Sequence, residues 1–153
     1  MSRVQEIERP TARRAPWADL LRYELPLLAC MAFITALSSR PSLPGPGERG
    51  SLLRDIFNYG SHMFIYGALA GLAWRVLVHR AGNLPGWLAA RPRLSAILFA
   101  LLYGIGDEIH QSFVPGRTAS PWDALADLLG ATLAMLAIGY GQGWLARRRD
   151  RAA

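Results

Sequence analysis

The densest group of ionisable residues in this chain is Asp107, Glu108, His110 and Gln111, followed after a Pro115-Gly116-Arg117 turn by Ser120, Asp123 and Asp127. Apolar runs flank it on both sides. Carboxylates placed among apolar residues pair, face a bundle interior or do work, because hydrocarbon solvates them poorly. Asp107 and Glu108 can form an acid/base pair, one made more basic by burial. Their plain alternative is to neutralise Arg117 and cap the loop. The Arg117 guanidinium, set after a Pro-Gly turn, has a planar fork suited to a phosphate or carboxylate. Its plain alternative is a salt bridge to Asp123 or Glu108. Ser120-Pro121-Trp122-Asp123 reads as a helix start, with Ser120 as cap and Pro121 in the first turn. A nucleophilic Ser120 has no recognisable base or oxyanion donors.

Earlier in the chain, Asn58, His62 and Tyr66 recur every four residues and so share one helix face. His62 is a further acid/base candidate, against the plainer role of a hydrogen-bonded packing residue. A metal site built from His62, His110 and a carboxylate is weighed and set aside. The chain has no HExxH spacing, and Glu108 and His110, two apart on a helix, do not share a face. No metal and no cofactor are expected.

The elements that must position these residues are hydrophobic. Of 153 residues 52% are hydrophobic and only 18% charged, too apolar for an average soluble domain. Apolar segments cover residues 20–39, 56–78, 94–109 and 122–144. A membrane helix needs about 20 mostly apolar residues. The third segment is short and the fourth contains Asp127, so a soluble helical bundle competes. The flanks decide between them. All 17 basic residues are arginine. Sorted by the side of the segments on which they fall, thirteen lie with the termini and the loop between the second and third segments. Only Arg40, Arg49, Arg54 and Arg117 lie on the other side. Membrane insertion produces such an asymmetry and a soluble bundle does not. Trp17, Trp74, Trp122 and Trp144 fall at segment ends, where an interfacial aromatic belt would sit.

The expected fold is therefore all-α, an integral membrane bundle of four transmembrane helices with both termini cytoplasmic. A basic tail (1–19) precedes the helical domain (20–146), and a second basic tail (147–153) follows it. Ala36-Leu37-Ser38 imitates a signal-peptide cleavage site, but the first segment is read as a retained helix. The arginines are spread over loops and termini, which argues against nucleic-acid binding. The lone Cys30 lies in an apolar run and supports neither a disulfide nor a cysteine zinc site.

Counting helix rise from each end brings His62, Asp107 and Asp127 to one depth on the arginine-poor side. On the third segment Tyr103, Asp107, His110 and Gln111 are expected on one face, with Glu108 turned about 100° aside. Ala126, Gly130 and Ala134 on the fourth segment, and Gly67 and Gly71 on the second, offer small-residue seams for close helix contact.

The run Asp107-Glu108-Ile109-His110-Gln111-Ser112-Phe113-Val114-Pro115-Gly116-Arg117, with Ser120, Asp123 and Gly130 downstream and Asn58-x3-His62-x3-Tyr66 upstream, resembles the signature of the VanZ-like family. Asn58 stands where an Asp is common in that family, and Asp127 where an Asn is common. The resemblance implies a small multi-pass protein of the bacterial cytoplasmic (inner) membrane, related to a protein linked to teicoplanin resistance. The leading reading is a polar outer-leaflet site that binds, and in a stronger form modifies, an anionic lipid or lipid-linked cell-envelope precursor. Its partners would be membrane lipids and anionic headgroups, with no nucleic acid. Catalytic candidates are His62, Asp107, Glu108 and His110; ligand-binding candidates are Asn58, Tyr66, Gln111, Arg117, Ser120, Asp123 and Asp127. The alternative is a non-enzymatic membrane protein whose polar cluster only locks the helices. A third reading, a small transporter, is disfavoured by four spans and the lack of an internal repeat.

Overall fold

The computed structural model describes residues 16–42, 44–48 and 50–152. Most of the expected N-terminal tail, with Arg3, Arg9, Arg13 and Arg14, lies outside the described residues, as does Arg49. The described part is all-α.

The first helical stretch comprises α1 (Pro16–Asp19), a π-helical turn (Leu20–Glu24) and α2 (Leu25–Ser38). The irregular turn has a local cause in Pro26, which lacks an N–H and whose ring crowds the carbonyl four residues back, that of Arg22. Leu25 N–H reaches back to the Leu20 carbonyl, and Arg75 donates to the displaced Arg22 carbonyl at 3.3 Å. Helix α3 (Leu52–His79) begins where the Ser51 side chain accepts the Arg54 N–H. A 3₁₀ turn (Ala81–Asn83) and the short α4 (Gly86–Ala90) lead to α5 (Pro92–Ser112). Helix α6 (Pro121–Asp150) starts as the sequence predicts, with the Ser120 side chain accepting from Trp122 N–H and Pro121 in the first turn. It runs past residue 146 to Asp150, with Arg147, Arg148 and Arg149 in a last turn whose dipole favours cations.

Helices α3, α5 and α6 form the central trio, each packed on the other two. Helix α2 leans on α3 and α5 and has no close approach to α6. At the other end of the first stretch, Glu24 pairs with Arg80, Asp19 with His79 at 3.4 Å, and Tyr23 stacks on His79 at 3.9 Å.

Small side chains dominate the interior. Ala70, Ala73, Ala96, Ala100 and Ala131 are buried around Tyr66, Leu69 and Met135. Large hydrophobics point outward, including Phe64, Leu102, Leu133 and Leu136. Water would drive a soluble bundle to the reverse arrangement, whereas a hydrocarbon solvent leaves close packing of small residues as the main helix-to-helix attraction. The α3–α6 seam shows this most clearly. A Cβ on Gly130 would overlap the Met63 backbone, and one on Gly67 would stand 3.0 Å from the Gly130 carbonyl oxygen. Gly71, expected to extend the seam, faces open space instead.

Three helical stretches are long and apolar enough to cross a membrane: Trp17–Ser38, Leu52–His79 and Pro121–Asp150. Helix α5, expected as a fourth span, falls short on composition because Asp107, Glu108, His110 and Gln111 crowd its final turns.

Candidate functional site

The polar residues of three helices meet between the end of α5, the start of α6 and the first half of α3. His62 is central. Its Nδ1 lies 2.9 Å from Asp127 Oδ1 and its Nε2 lies 4.0 Å from Asp123 Oδ2. One turn before His62, Asn58 donates to Asp123 Oδ1 at 3.1 Å. One turn after it, Tyr66 lies parallel to the imidazole at 6.1 Å between centroids. The four-residue spacing of α3 thus places three side chains along the α6 carboxylates, as its period predicts.

Helix α5 supplies the opposite wall. Asp107 accepts from Gln111 Nε2 at 2.9 Å, and Gln111 Oε1 accepts from Arg117 Nη2 at 2.7 Å. Glu108 Oε2 accepts the Ser120 backbone N–H at 2.7 Å, which ties α5 to the first turn of α6. Gly116 has φ +82°, a conformation that glycine adopts without strain, and the turn it makes carries Arg117 back over the cluster. Asp107, Glu108, Gln111, Asp123 and Asp127 are all buried. Among the described residues Asp127 Oδ2 has no hydrogen-bond partner, and it lies against Gly104, where a Cβ would stand only 2.7 Å away. Tyr66 Oη, Glu108 Oε1 and Arg117 Nε are likewise buried without partners.

Of the sequence-predicted residues, His62, Asn58, Tyr66, Asp107, Glu108, Gln111, Arg117, Asp123 and Asp127 come together, and Ser120 joins them through its backbone. His110 does not. It is exposed and hydrogen-bonds Ser39 Oγ at 3.0 Å. The expected face of Tyr103, Asp107, His110 and Gln111 is corrected accordingly. The buried face of α5 is Gly104, Asp107, Glu108 and Gln111. Tyr103 and His110, seven residues apart, form a flank turned to α2, where Tyr103 Oη donates to the Met31 carbonyl and contacts Thr35 Oγ1, both at 2.8 Å. A salt bridge from Arg117 to Asp123 or Glu108, the plain expectation, is replaced by the bond to Gln111.

A cavity of about 280 Å³ opens beside the cluster. Ile34 and Leu37 of α2 and Phe57 and Ile65 of α3 make an apolar wall; Asn58, His62, Asp107, Gln111 and Arg117 make a polar one. A second cavity of about 230 Å³ adjoins it, sharing Arg54, Asn58, Gln111 and Arg117. Arg40 and Arg54 line the first cavity and are not among the residues that sequence reasoning selected. Arg54 lies one turn before Asn58 and so continues the 58/62/66 face, a signal present in the spacing. Gly104 gives no such signal, since a glycine in an apolar run looks like any other.

No curated protein and no solved structure matches the chain. A family model described as VanZ/LLP1 matches residues 23–141, a stretch that contains α2 to α5, the whole polar cluster and all but the last turns of α6. With its apolar helices and a signature that converges on one buried site, the chain belongs to the VanZ/LLP1 family of membrane proteins.

Proposed function

We propose that the cavity binds the anionic headgroup of a lipid or lipid-linked cell-envelope precursor, with its apolar wall receiving the start of the chain. The observation that carries this reading is the two-sided lining. Arg117, with Arg40 and Arg54 nearby, faces one side, and α2 and α3 offer hydrocarbon on the other. Arg117 Nε, without a hydrogen-bond partner among the described residues, gives the guanidinium spare donor capacity after its bond to Gln111. His62, oriented by Asp127 as a histidine is oriented by a carboxylate in acid/base sites, lines the same cavity and would serve any modification of the headgroup. A contribution to teicoplanin resistance would follow from capture of an envelope precursor.

In this proposal α5 is the fourth span. Its outward face carries Leu94, Leu98, Leu102, Ile105 and Ile109, a continuous apolar stripe along the helix, and 21 residues reach about 31 Å. In this reading, which the arginine asymmetry supports, both termini lie in the cytoplasm and the cluster in the outer leaflet of the inner membrane. Reporter fusions after Gly45 and Gly116 are expected to read as extracytoplasmic, and fusions after Leu84 and at the C-terminus as cytoplasmic. A cytoplasmic signal at Gly116 would remove the cavity from the outer leaflet.

A second reading has its own support. Asn58–Asp123, His62–Asp127 and Ser120–Glu108 bonds cross-link three helices, as a purely structural lock would. Arg117 separates the two. For ligand binding, Arg117→Lys loses the bidentate fork, and Arg117→Ala loses the charge as well. Retention of dioleoyl phosphatidate by the detergent-solubilised protein, followed by native mass spectrometry against phosphatidylcholine, is expected to fall about tenfold in the lysine variant and further in the alanine variant, the scale of a charge-assisted hydrogen bond. Melting temperature should hardly move in Arg117→Lys. Equal retention by all three proteins, or a fall in melting temperature without a change in retention, supports the structural lock.

A further inference from the structure

The cluster holds a second arrangement that the headgroup reading does not use. One oxygen each of Glu108 and Asp123 and one ring nitrogen of His62 lie within 4.8 Å of one another. They come from three different helices, α5, α6 and α3. Each of these groups is held by its other polar atom. Asp127 takes His62 Nδ1, Asn58 donates to Asp123 Oδ1, and the Ser120 N–H donates to Glu108 Oε2. What remains is His62 Nε2, Asp123 Oδ2 and Glu108 Oε1. The first two are 4.0 Å apart, and the third is buried with no partner among the described residues, on a residue only 8% exposed.

A histidine whose far nitrogen bonds a carboxylate, beside carboxylates steadied by outer donors, is how proteins orient metal ligands. Electrostatics agrees. Glu108, Asp123 and Asp127 surround one imidazole, and with Arg117 acting on Asp123 as well, at most two positive charges face three carboxylates. Buried charges persist when paired or when they coordinate a cation.

We propose that His62 Nε2, Glu108 and Asp123 bind a divalent cation of the zinc class. One imidazole and two carboxylates suit zinc better than the all-oxygen sets of magnesium or calcium. Tetrahedral bonds of roughly 2.0–2.2 Å set ligand atoms about 3.3–3.6 Å apart, a contraction within reach of carboxylate rotation. Three protein ligands leave a fourth position for water or an anionic oxygen. This site stands independently of the headgroup reading, since the cation needs no lipid to bind. The sequence-level objection to a metal was the lack of HExxH spacing and the separate helix faces of Glu108 and His110, in a set that included His110. The structure sends His110 to Ser39 and brings Glu108 and Asp123 to His62 instead.

The test uses full-length protein without a histidine tag, purified in detergent, stripped with chelator and titrated with zinc chloride alone. One zinc per chain is expected by elemental analysis after desalting. Cobalt in its place should give the visible absorption of a four-coordinate site. Glu108→Gln and Asp123→Asn, which keep side-chain shape, are expected to lower zinc affinity at least about 100-fold, and Asp127→Asn about 10- to 100-fold through loss of the orienting bond. His79→Ala, which alters a histidine paired with Asp19 away from the cluster, should bind as the unmodified protein does. Substoichiometric zinc in the unmodified protein, or unchanged affinity in both carboxylate variants, overturns the proposal. Because the probe contains no lipid, either result leaves the headgroup reading to its own experiment.

Discussion

Replacing His62 with leucine is expected to destabilise the metal-free protein by about 3–5 kcal/mol, the cost of removing one partner from a buried charge pair. Asp127 is 1% exposed, and its Oδ1 bond to His62 is its one side-chain hydrogen bond among the described residues, since Oδ2 has no partner. Without the imidazole, Asp127 has nothing to offset its desolvation, and Asp123 loses its nearest ion-pair partner. The companion experiment is the double substitution His62→Leu with Asp127→Leu. Apolar replacement of both members of a buried pair is often neutral or stabilising, so the double variant should recover much of the loss. Thermal unfolding in detergent, followed by circular dichroism in the presence of chelator, measures both. If the double variant is as unstable as the sum of its single variants, the two residues are not energetically coupled, and His62 stabilises the fold by some other contact.

Gly130→Ala is the second large effect expected. A single methyl group placed there overlaps the Met63 backbone, which cannot rotate aside as a side chain can. Helices α3 and α6 must separate along the seam that joins them most extensively. The expected loss is about 3 kcal/mol, at the upper end for overpacking. The damage should extend to the site. Met63 adjoins His62, and Gly130 lies three residues after Asp127, so separation at the seam stretches the 2.9 Å bond between them. Zinc affinity and phosphatidate retention should fall together with melting temperature. Gly71→Ala is the matched control, because a Cβ at Gly71 meets nothing within 4 Å. Higher helix propensity should leave that variant unchanged or more stable by up to about 1 kcal/mol. Equal tolerance of alanine at positions 71 and 130 would show that the helices do not approach so closely.

The sequence by itself determined the helical class, the positions of the long apolar segments, the cap at Ser120 and the face shared by Asn58, His62 and Tyr66. Those are local properties. Apolar runs, cap residues and a four-residue recurrence each act over a few turns of one helix, so one chain suffices to read them. Depth counting also brought His62, Asp107 and Asp127 to a common level, because the rise per residue is fixed.

Tertiary structure alone decided the rotation of α5. Asp107, Glu108, His110 and Gln111 spread over about 160° of that helix, so the pattern alone does not select which edge, Glu108 or His110, turns inward. The neighbours select it. Met31, Thr35 and Ser39 of α2 hold the Tyr103–His110 flank, and the start of α6 offers the Ser120 N–H to Glu108. The same three-body arrangement gave Arg117 to Gln111 instead of a carboxylate, and put Gly104 where a Cβ would crowd the Asp127 carboxylate at 2.7 Å. Which atom of each buried carboxylate is bonded and which is left for a ligand depends on donors from other helices. Spacing along one chain carries no record of those contacts, because the groups that make them are up to 65 residues apart.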